Sequence, residues 1–259
     1  MINKVLNITF WSAFLLGTIA LYGFVNENPS LDICKGPVVK IDHKNNNHFV
    51  DEDDVKSLIS KLGYHLEGQP LAEIDLKLIE RELRLKPSVL NAQVYTTIDC
   101  ALMVDIEERN PIARIYNKNG TGFYLDEDGR LMPLSNKFTA RVLVFSGNLN
   151  LNYAELLNVE TEDVKEEKAF VNSLYALSAF IHSNPFWRAQ IAQVEVNSDQ
   201  NLYLIPKVGK QRIEFGKATG FEQKFKNLRI LYEEGFSKTG WNEYSTINLK
   251  YENQVICSK

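Results

Sequence analysis

The sequence has few cysteines and no excess of basic charge, and these shortages exclude several classes of protein. Three cysteines in 259 residues are too few for a disulfide-dense mini-protein. Lysine and arginine total 29 against 33 aspartates and glutamates, which gives a net charge of −4. Because such a balance provides no basic field for polyphosphate, we expect no nucleic-acid binding. The 44% of apolar side chains excludes an intrinsically disordered chain and predicts a globular protein of one or two domains.

Motifs of catalysis are also lacking. The chain contains no P-loop, no GxGxxG dinucleotide motif, no GxSxG nucleophile elbow and no HExxH zinc motif. His43 and His48 flank an asparagine-rich turn beside Asp42 and Asp51, and we interpret this set as solvated surface rather than as metal ligands. The acidic segment 126–129 predicts a hairpin rather than a calcium loop, since no acidic residue stands at the closing position. We therefore expect no catalytic residues, cofactor, metal or small-molecule substrate.

Charge is almost absent from residues 1–26, where Lys4 is the single charged side chain. Residues 5–25 contain no charge and no proline, and a helix needs about 20 apolar residues to cross a bilayer. A cleaved signal peptide is the alternative, but its apolar core is usually about 7–15 residues long and precedes an A-x-A-like site, which is missing here. We expect an uncleaved transmembrane helix at 5–25. Because Lys4 precedes it and acids follow it, we expect residues 1–4 in the cytoplasm and the bulk of the chain in the periplasm or its equivalent outside the cytoplasmic membrane.

After a linker at 26–35, residues 36–110 have the pattern β-α-α-β-β. Asp51 and Asp75 are the expected N-caps of two amphipathic helices, the first ending at Gly63. Alternating apolar residues predict strands at 38–41, 90–98 and 102–106. Two helices on one face of a three-stranded sheet bury enough apolar surface to fold, and they leave a sheet edge open.

Residues 111–259 predict a second, β-rich domain with flanking helices, so that the fold class is α+β. Asn119-Gly120 and Asp128-Gly129 are hairpin turns. A helical face runs from Phe170 to Ile181, and another begins at Phe221 and is expected to end at Gly235. The expected strands after the two hairpins are 141–145, 191–196, 202–205, 212–215, 246–251 and 254–257.

Several segments carry a resemblance to a known family. FVDEDDV at the first helix and DLKLIERELRLKPSVLNAQV leading into the second strand resemble a POTRA domain. With one N-terminal span, the exit IEERNPIARI, the hairpin GFYLDEDGRLMPLS and the closing INLKYENQVI, the chain resembles the bacterial FtsQ/DivIB cell-division family. The resemblance implies a non-enzymatic, membrane-anchored divisome scaffold at the division site. Asn248 and Lys250 stand where the family usually has aspartate and arginine.

The resemblance also implies partners and their binding site. FtsB-like and FtsL-like single-span division proteins dock on the closing strand in this family, the FtsB-like partner by direct strand pairing. Other divisome members are possible partners of the POTRA domain. Carried over, the expected partner-binding residues are Lys250, Tyr251, Asn253, Gln254, Val255 and Ile256, with Lys217 as a charge contact for an acidic partner segment. A POTRA-type envelope-assembly or secretion adaptor that binds extended polypeptides is the alternative. A membrane-anchored periplasmic hydrolase is disfavoured because the chain lacks the motifs such an enzyme needs.

Two of the three cysteines precede strands that we expect to run side by side. Cys34 precedes the first strand and Cys100 the third. In a β-α-α-β-β domain these strands run in the same direction, so the residues before them lie at one end of the sheet. We hypothesise a Cys34–Cys100 disulfide in an oxidising compartment. The alternative, two unpaired small hydrophobic side chains, stays open.

Overall fold

The computed structural model describes residues 11–20, 33–241, 243–251 and 254–259. Residues 11–20 are helical and exposed, whereas the rest of the predicted span 5–25 and most of the linker 26–35 lie outside the described residues. Within the described part of the chain, no helix has both the length and the apolar character needed to cross a membrane.

The chain divides into two compact units. The first comprises Met1–Lys40, Glu52–Leu83 and Ala92–Asp105. The second comprises Ile41–Asp51, Arg84–Asn91 and Ile106–Lys259.

A three-stranded sheet and two helices form within residues 37–108, as the sequence predicts. The strands are β1 (Pro37–Asp42), β2 (Val89–Thr96) and β3 (Leu102–Glu108), in the spatial order β1-β3-β2. Helices α1 (Glu52–Lys61) and α2 (Leu76–Arg84) precede β2. Asp75 caps α2, since its Oδ1 accepts a hydrogen bond from the backbone N–H of Leu78 at 3.0 Å. The apolar helix faces predicted from spacing supply buried side chains to this core, namely Val55, Ile59, Ile79 and Leu83.

The segments that carry Cys34 and Cys100 lie side by side in the first unit. The N–H of Lys35 donates to the carbonyl of Cys100 at 3.0 Å, and the N–H of Leu102 donates to the carbonyl of Gly36 at 3.1 Å. Cys34 is buried, and Cys100 has a left-handed backbone with a φ of 65°. The expected neighbourhood of the two cysteines is therefore present, and the disulfide between them stays a prediction.

A nine-stranded mixed sheet organises the second unit. Its spatial order is β12-β11-β10-β9-β8-β7-β4-β5-β6. The pairs β4–β7, β7–β8 and β10–β11 are parallel, and the others are antiparallel. The strands are β4 (Pro111–Tyr116), β5 (Gly122–Asp126), β6 (Leu131–Pro133), β7 (Leu143–Gly147), β8 (Ile191–Val196), β9 (Leu202–Pro206), β10 (Arg212–Gly216), β11 (Thr246–Asn248) and β12 (Ile256–Ser258).

Five α-helices in the described residues share a buried core with this sheet. Thr161 and Asn184 cap two of them by accepting hydrogen bonds from backbone N–H groups. The longest helix buries Leu174 and Leu177 in the same apolar cluster as Phe145 and Phe215 of the sheet. The helices are α3 (Tyr153–Asn158), α4 (Glu162–Ser183), α5 (Pro185–Gln190), α6 (Phe221–Ile230) and α7 (Phe236–Thr239).

The prediction that the helix after Phe221 ends at Gly235 is wrong. Leu231–Gly235 form a π-helical turn that leads into α7, and Gly235 has a helical φ of −78°. A Cβ atom at Gly235 would come within 2.8 Å of Leu231 Cδ1, so the glycine makes room for that side chain. Gly240, with a φ of 88°, is the residue at which the helical path ends.

The polar side chains of the ERNP segment are buried and paired within the second unit. The Glu108 carboxylate, 0% exposed, accepts the N–H of Val50 at 2.6 Å and lies 2.9 Å from His43 Nδ1. Arg109 Nη1 lies 2.8 Å from Asp126 Oδ2. A motif that carries the family resemblance thus serves folding.

The side chains considered as metal ligands make other contacts in the structure. The Oδ1 atom of Asp126 accepts the N–H groups of Asp128 at 3.0 Å and Arg130 at 2.7 Å, as in a hairpin turn. His43 is bonded to Glu108, and its ring centroid lies 4.3 Å from that of His48. Among the described residues, no three acidic, histidine or cysteine side chains are grouped as metal ligands.

Candidate functional site

Strand β12 is an open edge of the nine-stranded sheet. Three residue pairs join it to β11 in antiparallel register, Thr246 with Ser258, Ile247 with Cys257 and Asn248 with Ile256. In the part of the chain that the structure describes, no strand lies on its other side. The backbone groups on that side are therefore available to another extended chain. Both closing strands are shorter than the sequence predicts, at three residues each.

The side chains of this edge alternate between the core and the surface. Val255 and Cys257 pack against the core, and burial raises the pKa of the Cys257 thiol. Ile256 is 42% exposed, and Tyr251, which precedes the strand, is 53% exposed. An incoming strand would therefore meet one apolar side chain from β12 and an aromatic ring beside it.

A carboxylate on β10 holds the connection that follows β11. The Oε2 atom of Glu214 accepts the side-chain amide of Asn248 at 2.8 Å and the ammonium of Lys250 at 2.9 Å. The N–H of Lys250 also donates to Asn248 Oδ1 at 2.9 Å. The hydrogen bond to Glu214 raises the pKa of Lys250 above its usual value. The two residues that differ from the family pattern thus share one acceptor within this chain.

These three residues form the Glu214 cluster, which is extended across the sheet by Tyr203, Arg212 and Glu195. The guanidinium of Arg212 lies 4.1 Å from the ring centroid of Tyr203 and pairs with Glu195 at 3.0 Å. The ammonium of Lys250 lies 5.8 Å from the same ring. Sequence reasoning missed Tyr203, Arg212 and Glu214. The alternation of Arg-Ile-Glu-Phe in β10, with Ile213 and Phe215 buried, is the signal that could have placed Arg212 and Glu214 on the opposite face.

The remaining predicted site residues are not gathered at a single point. The ammonium of Lys217 donates to the carbonyl of Asp199, and Lys224 Nζ donates to the carbonyl of Lys217 at 2.9 Å. Gln254 is exposed just before β12, while Asn253 lies outside the described residues. The structure therefore brings Lys250 against β10 and leaves Tyr251, Gln254 and Ile256 exposed.

The opposite edge of the sheet is less suited to pairing. Strand β6 has three residues and ends at Pro133, which has no backbone N–H to donate. Edge strands that carry proline are protected from strand addition. The edge at β12 is consequently the better candidate for a docking surface.

Comparison with known proteins assigns both parts of the chain. A family model described as "FtsQ/DivIB, C-terminal related" matches residues 110–258, more than half of the chain. A second, described as "POTRA-like domain", matches residues 32–107. No curated protein matches the chain. The matches agree with a POTRA-like domain followed by a β-rich region in an α+β fold, and the chain therefore belongs to the FtsQ/DivIB family.

Proposed function

We propose that this protein is a non-enzymatic divisome scaffold that recruits single-span division proteins outside the cytoplasm by β-strand addition to β12. FtsQ/DivIB is a family of cell-division proteins, and the family match supports a role at the division site. The observation that carries the proposal is the open edge at β12, with Tyr251 and Ile256 exposed along it.

Strand addition suits this edge for a physical reason. A partner backbone supplies the hydrogen bonds that an edge strand lacks, and its alternate side chains select for sequence. Because Val255 and Cys257 face the core, a paired partner would be recognised mainly through contacts with Tyr251, Ile256 and the chain around them. In this proposal the FtsB-like partner pairs with β12, and the FtsL-like partner docks with it.

The charges near the edge favour an acidic partner segment. Lys217, Lys224 and Lys250 lie on or near β10 and the connection to β12, and Lys250 already shares Glu214 with Asn248. A partner carboxylate approaching Lys250 would compete with Glu214 for the same ammonium. We therefore assign specificity to the apolar contacts and expect a smaller contribution from Lys250.

The proposed architecture includes a membrane anchor. It comprises a cytoplasmic segment at 1–4, a transmembrane helix at 5–25, a linker at 26–35, the POTRA domain at 36–110 and the β domain at 111–259. The uncharged run between Lys4 and the first acids supports the anchor and its orientation.

The proposal is tested by capture of FtsB-like and FtsL-like partners on the full chain purified in detergent. We expect Val255→Pro and Tyr251→Ala to abolish capture while the thermal unfolding midpoint changes little, because Tyr251 is exposed and Val255 is only partly buried, just before an edge strand. Val208→Pro is the matched control, since Val208 is 57% exposed in the turn between β9 and β10. Full capture by a folded Val255→Pro variant would overturn the edge-pairing mechanism.

The second candidate is an envelope-assembly or secretion adaptor. The POTRA-like match at residues 32–107 favours it, because the edge of a three-stranded sheet can pair with an extended polypeptide. An adaptor of this kind would still capture unrelated extended polypeptides after deletion of residues 250–259. A division scaffold that works through β12 would lose its partners in the same deletion.

A further inference from the structure

The second unit has an open cleft of about 770 Å³ at one end of its sheet. The cleft lies where the three mutually parallel strands β4, β7 and β8 begin, and its lining includes Pro111 and Ile112, Val142 and Leu143, and Ile191 and Ala192. Ile112, Ile181 and Ile191 give it a buried apolar floor. Neither the edge strand β12 nor any residue of the Glu214 cluster lines it.

The charged side chains that line the cleft are all basic. Arg141, Arg188 and Lys207 are exposed along its walls, and no aspartate or glutamate contributes to the lining, although the chain as a whole is acidic. Among the described residues, no ion pair neutralises any of the three. Lys207 instead donates to the carbonyl of Arg188 at 3.0 Å. The cleft is thus a local positive region on an acidic protein.

The positive charge of one of these cations, Arg188, contributes to the lowered pKa of a neighbouring histidine. His182 lines the cleft, and its pKa lies below the usual value, first because of burial and second because of the positive charge of Arg188. Glu127 acts in the opposite direction, with Oε1 at 3.7 Å from His182 Nε2. The imidazolium form that a helix C-terminus would favour is therefore disfavoured here.

The order of the strands gives the spacing of the cations. Arg141 lies two residues before β7, and β7 pairs in parallel with β8, which begins directly after the helix that contains Arg188. The N–H of Lys207 donates to the carbonyl of Gln190 at 2.7 Å, which holds the end of β9 beside the start of β8. The cations therefore lie on three adjacent chain segments, a spread of roughly 10 Å at about 4.8 Å per strand. Alternate side chains of an extended peptide lie about 7 Å apart on one face. Two acidic residues in alternation would therefore fit within this spread.

The uncharged polar lining also suits a peptide. Asn45 and Asn46 are exposed at the cleft, and an asparagine amide offers both donors and an acceptor to a peptide backbone. We propose that this cleft binds an extended acidic segment of a partner protein. Strand β8 and strand β12 are four strand spacings apart, roughly 19 Å, so the cleft and the β12 edge can be occupied by different segments. The proposal does not depend on strand addition at β12.

The test uses the full chain in detergent and a fluorescein-labelled peptide of alternating glutamate and serine, measured by fluorescence anisotropy in 50 mM salt. We expect the glutamate peptide to bind, and a peptide with glutamine in place of glutamate to bind about tenfold more weakly. The triple variant Arg141→Gln, Arg188→Gln, Lys207→Gln is expected to lose about tenfold in affinity. The matched triple Lys77→Gln, Lys165→Gln, Lys238→Gln changes the net charge equally outside the cleft, and it should lose less than twofold.

Three outcomes would overturn the proposal. Equal losses in the two triple variants would show a response to net charge alone, and equal binding of the two peptides would exclude charge recognition. Cleft-dependent binding of phosphatidylglycerol vesicles without peptide binding would assign the surface to lipid. If the cleft triple variant fails to fold, the single variant Arg188→Gln, expected to bind about threefold more weakly, decides the question. Unchanged peptide binding by Val255→Pro is expected, since that variant alters only the β12 edge.

Discussion

The Nζ atom of Lys250 lies 2.9 Å from Oε2 of Glu214, and the lysine stem passes over Gly216. A Cβ atom at Gly216 would stand 3.1 Å from Lys250 Cγ, and the backbone there has a φ of 76°. The end of β10 is therefore shaped by two requirements at once, a left-handed backbone and room for a crossing side chain.

Gly216→Ala should destabilise the fold because alanine at this φ is strained and its methyl group would displace Lys250. We expect the free energy of unfolding in urea to fall by about 1–2 kcal/mol. The double variant Gly216→Ala, Lys250→Ala relieves the contact but keeps the backbone strain, so the two losses should be less than additive. A Gly216→Ala protein as stable as the parent would show that neither requirement is real.

Asp126→Ala should be the more damaging change, because it leaves the Arg109 guanidinium buried without its carboxylate. Breaking a buried pair costs about 3–5 kcal/mol. Glu162→Ala is the control, since Glu162 pairs with Lys165 on the surface and such pairs contribute about 0–1 kcal/mol. Both free energies of unfolding are measured in urea at neutral pH. Similar losses in the two variants would contradict the role assigned to the ERNP segment.

Tyr232 predicts a loss of stability in alkali. Burial raises the pKa of Tyr232 to about 12 from its usual value near 10. Between these values the unfolded chain releases the phenolic proton while the folded chain keeps it, so stability present below pH 10 is lost as the pH rises towards 12. This group alone accounts for up to about 2–3 kcal/mol. Tyr232→Phe should flatten that part of the pH profile, and equal slopes in parent and variant would exclude Tyr232 as the cause.

The Cys34–Cys100 disulfide is the fourth prediction. In protein isolated without reductant, we expect Cys34 and Cys100 to resist alkylation, and reduction to lower the free energy of unfolding by about 4 kcal/mol, on loop-entropy arithmetic. Cys257→Ser is the control, and it should leave both results unchanged. Unaltered gel mobility on reduction, with both thiols alkylated, would remove the hypothesis.

Local signals predicted most elements of this fold. The cap Asp75 and hairpin turns such as Asn119-Gly120 depend on a few neighbouring residues and are visible in sequence, whereas the caps Thr161 and Asn184 were found only in the structure. Gly235 misled the prediction because a glycine that makes room for Leu231 has the same sequence signature as a helix stop.

The candidate site was harder to predict because tertiary contacts, and not neighbouring residues in the sequence, bring its side chains together. Glu214 meets Asn248 and Lys250 because β10 and β11 pair in parallel across a long connection, and no local pattern gives that register. The lengths of β11 and β12 likewise depend on tertiary pairing, which stops after three residues. The family resemblance pointed to the closing strand as the partner-binding edge. The contacts around that edge became visible only in the structure.

The order of strands in the large sheet has a consequence for its assembly. From β8 to β12, each strand pairs with the strand that immediately precedes it in the chain. During synthesis on the ribosome, the sheet can thus grow in one direction, one strand at a time, as each segment emerges. The β12 edge exists only after β7 to β11 are in place, so a nascent or misfolded chain lacks the complete edge. Recruitment at this edge would therefore also report that the domain has finished folding.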